Sequence, residues 1–428
     1  NIMSGRHGDN YVPFTVAIDA PSGLCLDSGR VLGKVSGSLG QGSQAVAALT
    51  VTFDSPKPGH FLEVGPACCG KVVVADIGIW PWRKMDNPVK RDGHWTGTTK
   101  GHQMTLVEFR EKEFDHHDLG LGSVNRRPLQ KHSVWIQNKF SHGHALILSG
   151  APGRCGAARM AARGALRIGA GLVTLACPPD ALTENAARLD AVMLRTVVDS
   201  EGLVEILADE RIKSLCLGPG LGLDARAADL VKAALETARE RFRPKAFEGF
   251  RLLLDADALT LIARDPALFA MLNKGCVITP HGGEFTRLFP DISARLLGPQ
   301  YAKYSTESPA DLAMIQAVGD ANRKVSKELS AQTGPAFSKV EACREAAARA
   351  GCVVLFKGAD TVIAAPDGSC AINAAVYERS APWLATAGSG DVLAGFITGL
   401  LARGFSPFDA ACTGAWLHVE CALSFGPG

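Results

Sequence analysis

The sequence lacks any C-x-x-C pair, although it contains twelve cysteines among its 428 residues. Without that spacing there is no sign of a zinc ribbon, a thioredoxin-like redox motif or a disulfide framework. The cysteines are scattered, and several lie in apolar, strand-like runs, as Cys177, Cys216 and Cys276 do. We therefore predict buried, reduced thiols and a cytoplasmic location.

The sequence also lacks an excess of charge of one sign, and it lacks long apolar runs. The formal net charge is only +2, so there is no basic footprint of the kind that binds nucleic acid. Apolar runs such as VLAGFITGLLA are too short to span a bilayer, so no membrane partner is expected. No signal-peptide pattern opens the chain. The chain starts without Met and soon enters a strand-like pattern, which suggests that an N-terminal part is missing or divergent.

Two common phosphate-binding motifs are absent as well. The sequence has no G-x-x-x-x-G-K-[ST] loop, and no G-x-G-x-x-G fingerprint follows its first predicted strands. Neither a Walker loop nor a dinucleotide-binding fingerprint is therefore available to hold phosphates. A nucleotide bound by this chain must be held by other main-chain amides.

Strand-like runs alternate with helix-like segments, which favours an α/β fold with a largely parallel sheet. The chain is longer than one compact core usually holds, so we expect more than one domain. Residues 1–82 form one α/β piece, and 83–139 form a histidine-rich linker or irregular extension. Residues 140–428 form a larger α/β domain, within which the polar, helix-prone segment 291–338 is a predicted insertion.

Carboxylates and histidines follow several predicted strands. In LDADAL, Asp255 and Asp257 could orient a ligand or a magnesium-bound water, or Asp257 could cap a helix. In TPHGGE, His281 and Glu284 lie in a glycine-rich loop, where the histidine is either a ligand contact or a satisfied loop residue. DHHD, at positions 115–118, has no further ligands at metal spacing, so a solvated loop is favoured. No metal site is certain.

Three glycine-rich turns differ in how specifically they indicate a ligand-binding site. GPGLG, at positions 218–222, allows close approach to a ligand or simply makes a tight turn. FKGADT offers Lys357 and free amides as an anion cradle, or is a surface turn. TAGSGD is more specific, because successive amides and the next helix form an anion hole beside Asp391. We predict that Asp391 is a general base that activates a hydroxyl for phosphoryl transfer.

The chain resembles the ADP- or ATP-dependent NAD(P)H-hydrate dehydratase family over about residues 140–428. Six motifs occur in the family's order, namely GAARMAARGALRIGAGLVTLA, GPGLG, LDADAL, TPHGGEF, FKGADTVIAAPDG and LATAGSGDVLAG. Upstream, VAIDAPSGLCLDSGRVLG and LTVTFDSPKPGHFLEVGPACCGKVVVADIGI are similar to the end of the NAD(P)H-hydrate epimerase domain. The resemblance implies a ribokinase-like three-layer C-terminal domain, preceded by a partial Rossmann-like α/β piece.

The resemblance also implies a repair reaction. ADP, or ATP, phosphorylates the ring hydroxyl of the S epimer of NAD(P)H hydrate, and elimination of phosphate restores NAD(P)H. The fused layout suggests ADP as the donor, with AMP as the by-product and Mg²⁺ accompanying the nucleotide. The family's substrate loop of the epimerase is absent, so we expect no epimerase activity, and K⁺ would serve that domain only if it were complete. A homo-oligomer is expected.

Individual site residues follow from the same resemblance. Contacts to the hydrated dinucleotide are expected from Ala157, Gly220, Gly222, His281, Glu284 and Asp391. Contacts to the adenine nucleotide are expected from Lys357, Gly358, Ala359, Asp360, Thr361, Thr386, Gly388, Ser389 and Gly390. In the epimerase remnant, Asp19 would contact the substrate and Ser22 a potassium ion.

Two other functions remain open from the sequence. A small-molecule kinase of the same fold, acting on a vitamin-precursor alcohol, would share the GSGD turn and the base but release a stable phosphorylated product. A non-catalytic nucleotide-binding protein is the third possibility, and the intact Asp391 with its glycines argues against it.

Overall fold

The computed structural model describes residues 14–32, 46–77, 89–91, 94–96, 104–106, 138–243, 249–297 and 337–426. The chain divides into two compact units, Asn1–Gly101 with Gly334–Ala336 and His102–Thr333 with Phe337–Gly428. Most of the predicted linker, the DHHD run and most of the predicted insertion lie outside the described residues. The boundaries that we assigned to these segments stay predictions.

The smaller unit contains a three-stranded parallel sheet in the order β1-β2-β3, and a separate antiparallel pair, β4-β5. Its elements are β1 (Val16–Ile18), β2 (Leu49–Phe53), α1 (Gly65–Cys69), β3 (Lys71–Ala75), β4 (Val89–Arg91) and β5 (His94–Thr96). One face of the three-stranded sheet buries Ala17, Thr50 and Thr52, whereas the other exposes Val16 and Ile18. Its strands match three of the runs predicted from the sequence.

The larger unit is built on a ten-stranded sheet in the order β6-β15-β14-β13-β12-β11-β10-β7-β8-β9. The strands are β6 (Met104–Leu106), β7 (His144–Leu148), β8 (Leu172–Cys177), β9 (Met193–Thr196), β10 (Ile212–Leu217), β11 (Arg251–Leu254), β12 (Cys276–Ile278), β13 (Val353–Phe356), β14 (Asp360–Ala364) and β15 (Cys370–Ala374). All neighbouring pairs are parallel except β13-β14 and β14-β15. The predicted parallel sheet is confirmed, and the FKGADT turn joins the antiparallel strands β13 and β14.

Helices connect these strands in the way that parallel pairing requires. They are α2 (Cys155–Arg167), α3 (Leu182–Ala186), α4 (Ser200–Leu207), α5 (Ala225–Glu240), α6 (Asp257–Arg264), α7 (Pro266–Ala270), α8 (Gly282–Leu288), α9 (Pro290–Leu297), α10 (Lys339–Ala350), α11 (Ser389–Ala402) and α12 (Pro407–Leu423). In the described parts of the chain, no helix is long and apolar enough to cross a membrane. The first residues of the predicted insertion form α9, whose Ile292 is fully buried.

The strands of the larger sheet are buried on both faces, which is why they read as continuous apolar runs. Ile147, Leu175 and Leu253 belong to a core with residues of α2, α11 and α12. Their neighbours in sequence, such as Leu146 and Leu254, are equally buried and face the other side of the sheet. The predicted three-layer α/β architecture is confirmed.

Glycines let helices α2 and α11 pack backbone to backbone. A Cβ placed on Gly395 would clash with the carbonyl oxygen of Ala161, and one on Gly399 would clash with the backbone of Ala165. No other residue type allows so close an approach. This contact fixes the position of α11, whose first turn reaches the carboxyl edge of the sheet.

The cysteines behave as predicted. All twelve are free, and all except Cys421 are buried. Burial raises the pKa of thiols such as Cys216 and Cys276, so these groups are protonated and unreactive at neutral pH.

Candidate active site

Three neighbouring strands end in the polar residues that the sequence singled out. Asp255 follows β11, His281 follows β12 and Lys357 follows β13. The main-chain N–H of Lys357 donates to the carbonyl of Pro280 at 2.8 Å, which ties two of these turns together. Ligands of open α/β sheets bind outside the carboxyl ends of the strands, so this edge is the candidate active site.

Lys357 is held between two buried carboxylates. Its Nζ lies 2.9 Å from Oδ1 of Asp255 and 3.7 Å from Oε2 of Glu284. Burial alone would lower the pKa of Lys357, but the two carboxylates outweigh burial and raise it, with a smaller contribution from Asp391. The lysine therefore keeps its charge and can meet an anion at this edge.

Asp391 lies in the first turn of α11, after the left-handed N-cap residue Gly388. Burial, together with the nearby carboxylate of Asp255, raises the pKa of Asp391 to about 6, and the ammonium of Lys357 opposes the shift. A carboxylate with a pKa near neutrality accepts a proton more readily than an ordinary aspartate and is still ionised at pH 7. The structure thus brings Asp391, Asp255 and Lys357 together.

His281 is the N-cap of helix α8, and Glu284 completes a capping box with it. The main-chain N–H of His281 donates to Oε2 of Glu284 at 2.8 Å, and Nδ1 of the ring accepts the N–H of Gly283 at 3.0 Å. The imidazole is 56% exposed, whereas Glu284 is buried. Burial lowers the pKa of His281, and although Glu284 opposes this, Lys357 and Arg287 lower it further. The ring is therefore neutral at pH 7 and free to contact a ligand through its exposed edge.

A cavity of about 400 Å³ opens beside Lys357, on the side of β14 and β15. Six of the nine residues predicted to bind the adenine nucleotide line it, namely Lys357, Gly358, Ala359, Thr361, Ser389 and Gly390. Asp360, Thr386 and Gly388 do not line it. A cavity of this size suits a small-molecule ligand.

Asp360 is engaged in an internal ion pair. Nζ of Lys339, at the start of α10, donates to Oδ1 of Asp360 at 2.6 Å and to the carbonyl of Lys357 at 3.3 Å. The same ammonium lies 4.5 Å from the ring centroid of Phe356. Lys339 is buried, so this ion pair supports the turn from Lys357 to Thr361. The carboxylate of Asp360 is engaged in the pair and is not presented to the cavity.

Sequence reasoning missed the far wall of the cavity. The wall comes from the end of β15, the segment before α11, α11 itself and α12. It contributes Asn373, Ala375, Ser380, Ala381, Pro382, Leu384, Ala385, Leu393, Ala415, His418 and Val419. Burial lowers the pKa of His418 to about 4, against an opposing contact with the Ser389 backbone. A neutral histidine in this wall was signalled only by a lone His in the otherwise apolar helix that ends the sequence.

The glycines of GPGLG lie at the switch point of the sheet, where β10 and β7 are neighbours and the strand order reverses. A Cβ on Gly220 would clash with the carbonyl of Arg154, and one on Gly150 would clash with the carbonyl of Gly220. The main-chain N–H of Gly222 donates to Oδ2 of Asp257 at 2.8 Å. The glycines thus let two loops meet in the crevice where such sheets bind ligands.

Ala157 is another residue that was predicted to contact the substrate. It lies in the first turn of α2 and is half-buried. Asp257 caps no amide of its own helix in the described contacts, and it instead fixes the GPGLG turn through Gly222.

In the smaller unit, Asp19 follows β1 with a positive φ of 64°. Its Oδ1 accepts the hydroxyl of Thr52 at 2.6 Å and lies 3.7 Å from Nζ of Lys57, while its carbonyl is 2.8 Å from Nε2 of His60. Ser22 is exposed in the turn that follows. The structure therefore places these two residues in one turn of the smaller unit.

The larger unit is thus a three-layer α/β unit with a polar cluster at the carboxyl edge of its sheet. A family model described as NAD(P)H-hydrate dehydratase matches residues 145–318 and 322–426, which is more than half of the chain. The chain belongs to this family.

Named relatives are proteins called bifunctional NAD(P)H-hydrate repair enzyme Nnr. The one from Moorella thermoacetica is 33% identical over 414 residues, covering 94% of this chain and 61% of the relative. The one from Escherichia coli K12 is 28% identical over 418 residues, covering 97% of this chain and 62% of the relative. The chain therefore spans about six tenths of the length of these relatives.

Solved structures with a similar chain trace include a ribokinase-like superfamily protein from Enterococcus faecalis, with a TM-score of 0.48 and 22% identity over 69% of this chain and 85% of that one. Another is the ADP/ATP-dependent NAD(P)H-hydrate dehydratase from Bacillus subtilis, co-crystallised with ATP and Mg²⁺. Its TM-score is 0.46, with 23% identity over 71% of this chain and 88% of that one.

Proposed function

We propose that the larger unit dehydrates the S epimer of hydrated NADH or NADPH, using ADP as the phosphoryl donor. One observation carries the proposal, namely the order of features along the sheet edge. A cavity lies at β13 to β15, the cluster of Asp391, Asp255 and Lys357 lies beside it, and the switch-point crevice lies at β10 and β7. Donor, base and acceptor sites in this order are what transfer between two bound molecules requires.

The donor nucleotide would occupy the cavity. Gly358, Gly390 and Lys357 line this cavity, so their amides and the lysine ammonium are available to its phosphates. Helix α11 begins at Ser389 and is fourteen residues long, so its positive end adds to the attraction. Asp360 pairs with Lys339 and so supports the turn, and its direct contact with the nucleotide stays a prediction.

The acceptor would lie on the other side of Asp391, between His281 and the GPGLG turn. Asp391 takes the proton of the ring hydroxyl, whose oxygen bonds to the terminal phosphorus of ADP while the bond to the departing AMP breaks. The phosphorylated ring then loses phosphate, with the electron pair of the carbon–oxygen bond, and a ring proton, which restores the double bond. Hydrate and ADP give NAD(P)H, AMP, phosphate and one proton.

Mg²⁺ fits this site as a companion of the nucleotide. In the part of the chain that the structure describes, no group of three or more His, Cys, Asp or Glu side chains forms a metal site. Mg²⁺ in such enzymes is commonly bound by substrate phosphates and one or two carboxylates, and Asp255 and Asp391 are the carboxylates at hand. When bound, the ion would neutralise charge on the transferred phosphoryl group.

The smaller unit, in our proposal, does not interconvert the hydrate epimers. Its described three-stranded sheet carries Asp19 in a carboxylate–hydroxyl contact with Thr52, and one of its faces is open to solvent. The K⁺ site at Ser22, the homo-oligomeric state and the cytoplasmic location stay predictions.

The proposal is tested by adding the chain to hydrated NADH together with ADP or ATP. We expect the near-ultraviolet absorbance of the reduced nicotinamide ring to return, faster with ADP than with ATP, and AMP to accumulate with ADP. Formation of a stable phosphorylated product without recovery of absorbance would favour the kinase function instead. No turnover with either nucleotide would contradict the proposal.

A further inference from the structure

Arg287, on helix α8, is a partly buried cation that has no partner among the residues that the structure describes. Its Nε is buried and makes no hydrogen bond. Across the described residues, its side chain makes no hydrogen bond or ion pair of any kind. By contrast Arg159 and Arg379, which are also partly buried, each bind carboxylates directly. A guanidinium that is taken from water without an anion carries a desolvation cost, and no described residue offsets that cost for Arg287.

The side chain of Arg287 points back along α8, as long helical side chains do. Nη1 lies 3.9 Å from the position that a Cβ on Gly283 would occupy. No atom lies within 4 Å of the corresponding position on Gly282, so the backbone beside the guanidinium faces open space. Arg287 is also close enough to His281 to help lower the pKa of its ring. The free cation therefore flanks the exposed edge of His281.

The charges of the site show what the cation is suited to bind. Asp255, Glu284 and Asp391 surround Lys357, so the cluster carries more negative than positive charge. Glu284, about one turn before Arg287 on α8, is committed to Lys357 and to the amide of His281. Arg287 is left for an anion that arrives with a ligand, and planar guanidinium groups bind phosphate oxygens in pairs.

We propose that Arg287 binds a phosphate of the dinucleotide substrate and so anchors it on the His281 side of Asp391. This inference rests on the proposed function, because it takes its ligand from that function. The phosphate is either in the bridge between the two nucleosides or the additional 2′-phosphate of NADPH hydrate. The donor nucleotide, on the other side of Asp391, does not contact Arg287.

The test compares Arg287→Gln with the wild type at saturating ADP. We expect KM for hydrated NADH and NADPH to rise by about tenfold to a hundredfold, with little change in KM for ADP, because one charge-assisted contact is lost. An equal rise for both substrates identifies the bridging phosphates, and a rise confined to NADPH hydrate identifies the 2′-phosphate. Arg287→Lys, which keeps the charge without the paired donors, should have an intermediate KM.

Arg264→Gln is the matched control, because Arg264 is an exposed arginine at the far end of α6. Its KM values should equal those of the wild type. Melting curves establish whether each variant folds. If Arg287→Gln does not fold, Arg287→Lys takes its place in the comparison. Unchanged KM for both dinucleotides, or a rise for ADP instead, overturns the inference.

Binding of NADPH and NADH, followed by their fluorescence, separates this inference from the proposed function. If the wild type turns over no hydrate yet binds NADPH more tightly than Arg287→Gln, the proposed function is contradicted and the role of Arg287 in binding the dinucleotide is supported. If the wild type turns over hydrate and Arg287→Gln has the same dinucleotide binding and the same KM, only the role of Arg287 is contradicted.

Discussion

The two parallel sheets each end a strand with an aspartate, and the surroundings of these aspartates differ. Asp19, after β1, has a side chain that is 43% exposed and lies 3.7 Å from Lys57. Asp255, after β11, is only 3% exposed and lies 2.9 Å from Lys357. Charges interact far more strongly when water is excluded. Asp255 helps to raise the pKa of a neighbouring carboxyl group, Asp391, to about 6, whereas Asp19 only opposes the burial that lowers the pKa of His60.

The covering layers cause this difference. Parallel sheets are normally covered on both faces, and the larger sheet has helices on each. The described part of the smaller sheet leaves Ile18 64% exposed on one face. Asp255 lies at the end of a strand whose sheet is covered on both faces, and its deeper burial distinguishes it from the more exposed Asp19.

Exchanging Asp391 and Asp19, one at a time, for asparagine should give the largest difference between the two units. We expect Asp391→Asn to lower kcat by about a hundredfold or more, because the general base is lost. The same change should raise the melting temperature, because it removes a buried charge that burial and Asp255 disfavour. Asp19→Asn should leave dehydration unchanged. Steady-state rates and melting curves measure both, and a similar loss in the two variants would remove the distinction between the sheets.

Truncating an apolar side chain in each sheet tests the covering layers. Leu253→Ala, in the fully buried strand β11, should lower the unfolding free energy of the larger unit by about 2–5 kcal/mol. Ile18→Ala, on the exposed face, should change the free energy of the smaller unit by less than about 0.5 kcal/mol. Hydrogen exchange resolves the two units separately. A loss above about 1 kcal/mol for Ile18→Ala would mean that its face is covered in solution.

Removing Lys339 should affect donor binding through the turn that it holds. We expect Lys339→Met to raise KM for ADP by about tenfold and to change kcat less, because Asp360 loses its partner and the Lys357 turn loosens. Lys274→Met, at an exposed site, is the control and should match the wild type. A fall in kcat with an unchanged KM would indicate that Lys339 acts on the chemistry rather than on the turn.

The pH dependence gives the smallest effect. The pKa of Asp391 is raised to about 6, and the proposed general base is its ionised form. The value of kcat/KM should therefore be constant at higher pH, fall to about half near pH 6, and drop tenfold for each further unit of acidity. An ordinary aspartate would keep the rate constant to about pH 4. A profile without a limb near pH 6 would show that Asp391 is solvated like Asp19.

Much of the larger unit follows from local pattern. Strands buried on both faces give short apolar runs, and the turns after them must gather at one edge, so Asp255, His281 and Lys357 were predicted near one another. Partners that are distant in sequence were not predictable. Asp360 fits a ligand motif, yet it pairs with Lys339, 21 residues earlier, and no local pattern records that contact. His418 reaches the cavity only because α12 packs beside β15.

The glycine contact between α2 and α11 restricts which sequences this fold can accept. A single methyl on Gly395 would force the helices apart, and Asp391, one turn earlier on α11, would be carried away from its cluster. Natural selection for turnover therefore acts on a residue that touches no reactant. In a library of all single substitutions, we expect this helix crossing to be as intolerant of change as the catalytic carboxylate itself.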